Sequence, residues 1–398
     1  MKLLIVIPAL NEQSSIENII TRTHSAIPEI KKRGNLSEVK IVVVSDGSTD
    51  KTVEMAQKHI DKIKLIVFEK NKGYGAAIKE GWEQEEADLL GFIDADGTCN
   101  PEFFADLCDL MNEKNADVAL GNRLNKQSKM PFIRKTGNII FSTLLSLASA
   151  KKIKDTASGM RVVRKKTLWK LMPLPNGLHF TPAMSARAIL SNDLIIVEKD
   201  MPYHERQGES KLNVWEDGKR FLSVIIENTF IYIPHRIFAL IGTLLLLCSV
   251  ILIFPVIYFY LDHSFLEEWM FYRFIVSCIF SVCAILLFFI SNLAHNIVHF
   301  TTQPEAVRNK TLFYYLFEHK LSLFIASVFY LCAFALVFNS IWSRLTTGLT
   351  NEHWSRYLAF LFFFINGTIF VVSYFTNKIL GLIKNRVIYL QSVFYGNK

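Results

Sequence analysis

Apolar positions along this chain follow two different rules. Up to about residue 235 they come in short strand-like runs, at residues 3–8, 40–44, 64–68 and 89–93. Between them lie stretches with helical spacing, such as residues 14–27, 52–60 and 75–84. That alternation predicts βαβ units around a mainly parallel sheet, an α/β domain. Beyond His235 and Arg236 the pattern changes. Residues 237–261, 274–293, 321–341 and 357–376 hold no charged side chain. Each run is about 20 residues or longer, enough for a helix to cross roughly 30 Å of hydrocarbon. The expected organisation is an α/β domain over 1–215 and an interfacial helix and linker over 216–236. An all-α transmembrane domain of four helices follows over 237–380, then a tail over 381–398.

Two further apolar stretches, 139–150 and 221–233, are too short to span a bilayer. They suit core helices or helices lying in the membrane interface. For 221–233 the interface is favoured, because Pro234, His235 and Arg236 lead straight into the first span. The connector at 262–269 carries Asp262, Glu267 and Glu268 without Lys or Arg, whereas 296–320 carries Arg308, Lys310 and Lys320. The tail is basic, and the third connector, with Arg344 and Arg356, is the exception. Positive-inside reasoning puts the second connector and the tail in the cytoplasm. Residues 1–8 are too short an apolar run for a signal peptide, so the first domain is expected there too.

Composition narrows the classes. The 398 residues are 51% hydrophobic and include 32 Phe, which excludes a disordered chain, and the mean hydropathy is +0.26. A net charge of +8 is no nucleic-acid-sized excess. A membrane surface or phosphorylated substrates suit it better. Six cysteines without a CxxC pair give no zinc or thiol-redox framework.

The polar motifs fall in the loops after the strands. The first strand ends in VIPALNE and the second in VSDGSTD, which brings Glu12 and Asp46 to one sheet edge. Carboxylates there suit a ribose or a base N–H; ordinary capped turns are the alternative. The segment NKGYGAA opens a helix and could hold phosphate on its backbone N–H groups. Its spacing is neither a Walker loop nor GxGxxG, since Ile78 stands where the third glycine would be. A plain helix-opening turn is the other reading. The strongest element is Asp94-Ala95-Asp96 at the end of an apolar strand. Two carboxylates that close repel unless a cation lies between them, and Mg²⁺ or Mn²⁺ shared with a diphosphate fits the pair.

In this order the motifs resemble glycosyltransferase family 2, and with helices after the domain they look most like its polyprenyl-phosphate glycosyltransferases. The resemblance covers about residues 3–215 and implies the A-type nucleotide-sugar fold. It implies nucleotide contacts at Pro8, Glu12, Asp46, Asp94, Ala95 and Asp96, with the divalent metal at Asp96 and Asp94 nearby. Leu10 stands where relatives often carry an aromatic near the base. Thr98 stands where they carry a Gln that helps hold metal, and is the candidate third ligand. Asn122-Arg123 resembles the family's GSR. Arg123 and Arg134 correspond to arginines that receive a lipid phosphate, with Asn138 in place of a Ser. Residues 155–161 resemble DxxSGFR, and 205–212 a closing R-x-x-G-x-S-K loop whose Arg206 and Lys211 would cover the diphosphate. His179 is a sugar contact or a structural residue.

The implied activity is transfer of a sugar from a nucleotide-sugar donor to polyprenyl phosphate at the cytoplasmic face, with inversion, by a multi-pass protein of a bacterial inner membrane. Membrane lipids are expected partners, nucleic acid is not, and a homo-oligomer is left open. The alternative is transfer to a sugar or lipid hydroxyl in cell-envelope polysaccharide or glycolipid synthesis. That chemistry needs a base, for which Asp155 is the nearby candidate.

Overall fold

A computed structural model describes residues 1–125, 128–149, 151–191, 193–206, 214–265, 267–302, 312–348 and 354–395. The chain divides into two compact units, Met1–Tyr232 and Ile233–Lys398.

In the first unit the elements run β1 (Lys2–Ala9), α1 (Ile16–Gly34), β2 (Glu38–Ser45), α2 (Thr52–Gln57), β3 (Lys64–Val67), α3 (Tyr74–Glu83), β4 (Leu89–Ile93), α4 (Phe103–Glu113), β5 (Val118–Asn122), α5 (Phe132–Ala148), β6 (Met160–Arg164), α6 (Leu168–Leu171), α7 (Phe180–Leu190), β7 (Ile196–Asp200) and α8 (Val214–Tyr232). They form one sheet in the order β3-β2-β1-β4-β6-β5-β7. All its pairings are parallel except those of β6, which runs against both β4 and β5. This is the expected α/β architecture. Both faces of the sheet are covered, which explains why its strands read as continuous apolar runs. Leu3, Ile5 and Ile7 pack with Ile16 and Ile20 of α1 and Phe104 and Leu107 of α4. Leu4 and Val6 pack with Ile78 and Trp82 of α3 and Phe180 and Met184 of α7. The chain leaves β1 towards β3 and returns on its other side as β4. The loops after β1 and β4 therefore diverge, and ligands of such sheets lie in that crevice.

Helices are longer than their apolar patterns suggested. The spacing predicts α1 to stop at residue 27, before Pro28. It continues to Gly34 with Pro28 inside. Burial of Ile30 and the bonds of Arg33 to Asp106 and Asp109 on α4 hold the last turns. The stretches 139–150 and 221–233 are the ends of α5 and α8. Thr181 and Pro182, expected as cap and first residue of α7, lie inside it, and His179 caps it.

The second unit holds α9 (Pro234–His263), α10 (Glu268–Thr302), α11 (Leu312–Phe317), α12 (Leu321–Thr347) and α13 (Trp354–Tyr395). Four of these helices are long and apolar enough to cross a membrane: α9, α10, α12 and α13. Ser249 on α9 bonds Ser277 and Ser281 on α10 through side chains, the kind of contact that joins helices where apolar burial gives no preference. Two expected boundaries move. The first unit keeps α8 and ends at Tyr232, before Pro234, rather than at 215. Position 380 falls within α13, which has no proline to break it.

Candidate active site

Three loops interlock above the sheet edge. Asn11, in the left-handed region, accepts the Thr49 N–H at 2.8 Å, while its own N–H donates to Ser48 Oγ at 3.1 Å. The Glu12 N–H donates to Thr52 Oγ1 at 2.8 Å. Gly47 has φ +73° and presses on the third loop: a Cβ there would lie 2.5 Å from the Asn71 nitrogen. Only glycine fits both conditions. Asp46 closes the set by accepting the N–H groups of Lys72 (2.7 Å) and Gly73 (3.0 Å), and burial pushes its carboxyl upward.

Asp94 and Asp96 follow β4. Asp94 Oδ1 accepts the Tyr74 hydroxyl at 2.6 Å. Burial, with the Asp96 charge added, pushes the Asp94 carboxyl up to about 7. A Cβ on Gly159 would fall 1.7 Å from Asp94 Oδ2, so that carboxylate occupies the space a side chain at 159 would need. Asp96 Oδ1 accepts the Thr98 hydroxyl (2.7 Å) and N–H (3.1 Å). Its Oδ2 accepts Arg206 Nη1 at 3.0 Å, and Nη2 of the same guanidinium pairs with Glu12. Arg206 Nε is buried and has no hydrogen-bond partner among the described residues.

A second charged group lies beneath. Asp155 is fully enclosed. It accepts Arg123 Nε (2.7 Å), Nη2 (2.9 Å) and N–H (3.0 Å), and Asn138 Nδ2 at 2.6 Å. Burial alone would raise this carboxyl; the paired Arg123 and these bonds hold it below the usual carboxylate range. Asn138 Oδ1 accepts the Thr156 hydroxyl and N–H, which ties α5 to the loop before β6. Arg161, on β6, is also fully buried. It donates to the Thr156 and Ser158 carbonyls, and burial lowers it to about 10.

These groups surround a cavity of about 550 Å³. Pro8, Glu12, Asp46, Asp94, Ala95, Asp96, Arg123, Arg134 and Arg206, all expected from sequence, line it. Asp155 and Thr98 do not line it; they hold residues that do. Lys211 lies outside the described residues. At the other end of the cavity the lining turns apolar, with Met130, Ile133 and Phe141 from the α5 region and Phe221 from α8. Phe141 and Phe221 meet edge to face at 5.8 Å. Both helices also expose apolar side chains, among them Phe132 (81% exposed), Ile133, Ile140, Ile226 and Ile231.

One expectation is corrected. The N–H groups of NKGYGAA are not open to a phosphate: those of Gly75 and Ala76 donate to the Asn176 carbonyl and that of Gly73 to Asp46. The 173–179 loop has filled the N-terminus of α3. Sequence reasoning also passed over Tyr74 and Gly159. Both lay in plain view, inside NKGYGAA and DTASGMR, but nothing in the spacing said they would meet at Asp94.

The Glycosyl transferase family 2 model matches residues 4–172. The Dolichyl-phosphate hexose transferase of Haloferax volcanii is 30% identical over 197 residues, covering 47% of this chain and 82% of that protein. The chain belongs to glycosyltransferase family 2. Its first unit is a family 2 glycosyltransferase domain, and the residues that carried the resemblance surround its cavity. Other relatives of the family 2 chain are longer. The Low-salt glycan biosynthesis hexosyltransferase Agl6 of Haloferax volcanii is 31% identical over 56% of this chain and 53% of its own length. The Dolichol-phosphate mannosyltransferase of Pyrococcus furiosus is 30% identical over 53% and 59%. The chain thus spans little more than half of those two relatives. Among solved structures, glucosyl-3-phosphoglycerate synthase of Mycobacterium tuberculosis, crystallised with Mn²⁺, uridine diphosphate and glucosyl-3-phosphoglycerate, aligns at 18% identity with a TM-score of 0.46, over 57% of this chain and 80% of that one.

Proposed function

We propose that this protein moves a sugar from a nucleoside diphosphate to a polyprenyl phosphate, at the cytoplasmic face of a membrane, with inversion at the anomeric carbon. One observation carries the reading: a single cavity has carboxylates at one end and Arg134 among apolar side chains at the other. A soluble acceptor would not need the apolar end. Several relatives are named for dolichyl or undecaprenyl phosphate, which supports the same acceptor class.

The donor end suits a divalent cation. Asp94, pushed up to about 7 by burial and by Asp96, carries more negative charge than its surroundings accommodate, and a guanidinium already stands against Asp96. No group of three or more His, Cys, Asp or Glu side chains that could hold a metal occurs among the described residues. Asp94 and Asp96 would hold Mg²⁺ or Mn²⁺, with diphosphate and water oxygens as the remaining ligands. Bound there, the ion would neutralise charge on the departing diphosphate. In this reading the Thr98 hydroxyl orients Asp96, and Arg206 and Lys211 close over the diphosphate. Glu12 and Asp46 lie beside the nucleoside.

Transfer forms a bond from an acceptor phosphate oxygen to the anomeric carbon while the bond from that carbon to the diphosphate breaks. A phosphate is already ionised near neutral pH, so no base is required. Holding the two reactants in line is then the main task, and Arg134 contributes by fixing the attacking phosphate. A hydroxyl acceptor would need a base, and Asp155 is poorly suited: its carboxylate is enclosed and engaged by Arg123 and Asn138.

The decisive experiment incubates purified protein and polyprenyl phosphate with a panel of radiolabelled nucleotide sugars. Label moving into the organic phase identifies donor and acceptor class together. No label moving with any donor, while a glycoside acceptor is used, overturns the proposal.

A further inference from the structure

The acceptor phosphate is left one cation short of what the sequence suggested. Arg123 was expected to share it with Arg134, yet two of its guanidinium nitrogens and its backbone N–H are bonded to the enclosed Asp155. A further cation does line the cavity: Arg220 of α8, while Arg134 comes from α5. Arg220 also pairs with Glu216 at 3.9 Å, but both side chains are more than half exposed, so a phosphate can displace that contact readily.

The glycines beside these arginines point the same way. Gly137 in α5 and Gly218 in α8 both line the cavity, and a Cβ built on either meets no atom within 4 Å. Glycine weakens a helix interior relative to alanine, and neither position has a packing contact that requires it. Open space at a mid-helix glycine on each side of one cavity makes a slot. Its edges are apolar at Ile133 and Phe221, next to two cations.

We infer that the acceptor phosphate is held between Arg134 and Arg220, and that its hydrocarbon chain leaves the cavity past Gly137 and Gly218. This rests on the polyprenyl-phosphate reading above and adds the residues that select the chain. An anionic head on an apolar tail is the one occupant that matches both halves of the slot.

Two kinds of variant test it, each assayed with a long polyprenyl phosphate and with dimethylallyl phosphate, which has almost no tail. Gly218→Leu and Gly137→Leu fill the slot with a good helix former, so folding is not at risk. Each should cut use of the long acceptor relative to the short one by about tenfold or more. Arg220→Gln should raise KM for both acceptors about tenfold, the loss of one charge-assisted bond, and Arg220→Lys should recover part of it. Unchanged acceptor kinetics in all of these, with wild-type transfer intact, overturns the slot but leaves the polyprenyl-phosphate reading standing. Absence of transfer to either acceptor by the wild-type protein overturns both.

Discussion

Replacing Asp155 by Asn separates two mechanisms, because the structure makes it a holding residue and a hydroxyl-acceptor mechanism would make it a base. The carboxylate is wholly enclosed and faces a bidentate Arg123, which is itself buried. Asn is nearly the same size but removes the charge, and its amide nitrogen would face donors on Arg123 and Asn138. Breaking a buried pair by removing one partner costs about 3–5 kcal/mol, since the remaining charge stays uncompensated. For a unit of this size each kcal/mol shifts the midpoint by roughly 2–4 °C, so Asp155→Asn should lower it by on the order of 10 °C. Purified protein in detergent, heated and followed by intrinsic fluorescence, reads this directly. The pH dependence has a definite sign. The folded-state carboxyl lies below its unfolded value, so its stabilisation is present above about pH 4 and is lost as pH falls towards the folded value. The difference between wild type and Asp155→Asn should therefore shrink only in acid. Replacing both partners with apolar residues, Arg123→Met with Asp155→Leu, should recover stability relative to Asp155→Asn. A variant with a wild-type melting point but no turnover would refute this reasoning and restore Asp155 as a candidate base.

Three further outcomes are expected. Asp96→Asn should weaken Mn²⁺ binding, followed by electron paramagnetic resonance in the presence of nucleotide, and lower turnover about tenfold or more; retained activity together with indifference to EDTA would remove the metal role. Gly159→Ala should displace the Asp94 carboxylate, because the added carbon would overlap Oδ2, and turnover should fall with the fold intact by circular dichroism; normal activity would show that Asp94 can move without consequence. Cysteine-accessibility mapping should find residues 262–269 outside the cell and 312–320 inside; both on one side would overturn the four-span topology.

How legible the protein was depends on the kind of interaction involved. Strand positions were readable because a two-sided sheet demands continuous apolar runs, and residues 89–93 came out with the bounds of β4. The four spans were readable because bilayer thickness fixes a length. Helix ends were not. Pro28 is a stop signal by local rules, but Ile30 and the Arg33 pairs lie across the fold in α4, and tertiary contact outweighed the local preference. Within the site, carboxylates at strand ends were readable because the topology of a parallel sheet collects such ends. What each contacts was not. The N-terminus of α3 looked open to phosphate until the 173–179 loop, a hundred residues away, supplied the Asn176 carbonyl. Arg123 looked like a phosphate ligand because nothing local shows that Asp155 would reach it.

The distribution of charge gives the cavity a direction. At its donor end Glu12, Asp94 and Asp96 outnumber the cation that touches them, Arg206, and Asp94 is raised by the excess. Such an end favours a cation and, through it, a diphosphate. Beneath it Arg123 and Asp155 cancel each other. Arg134 and Arg220 line the cavity along with the apolar side chains of α5 and α8. A phosphate on an apolar tail is thus drawn to one end and a metal-bound diphosphate to the other, with the enclosed Arg123–Asp155 pair setting the position of α5 through Asn138. Carboxylates at both ends would repel the acceptor, and cations at both ends would compete with the metal. The arrangement avoids each failure because the ion pair that could have belonged to either end is kept neutral in the interior.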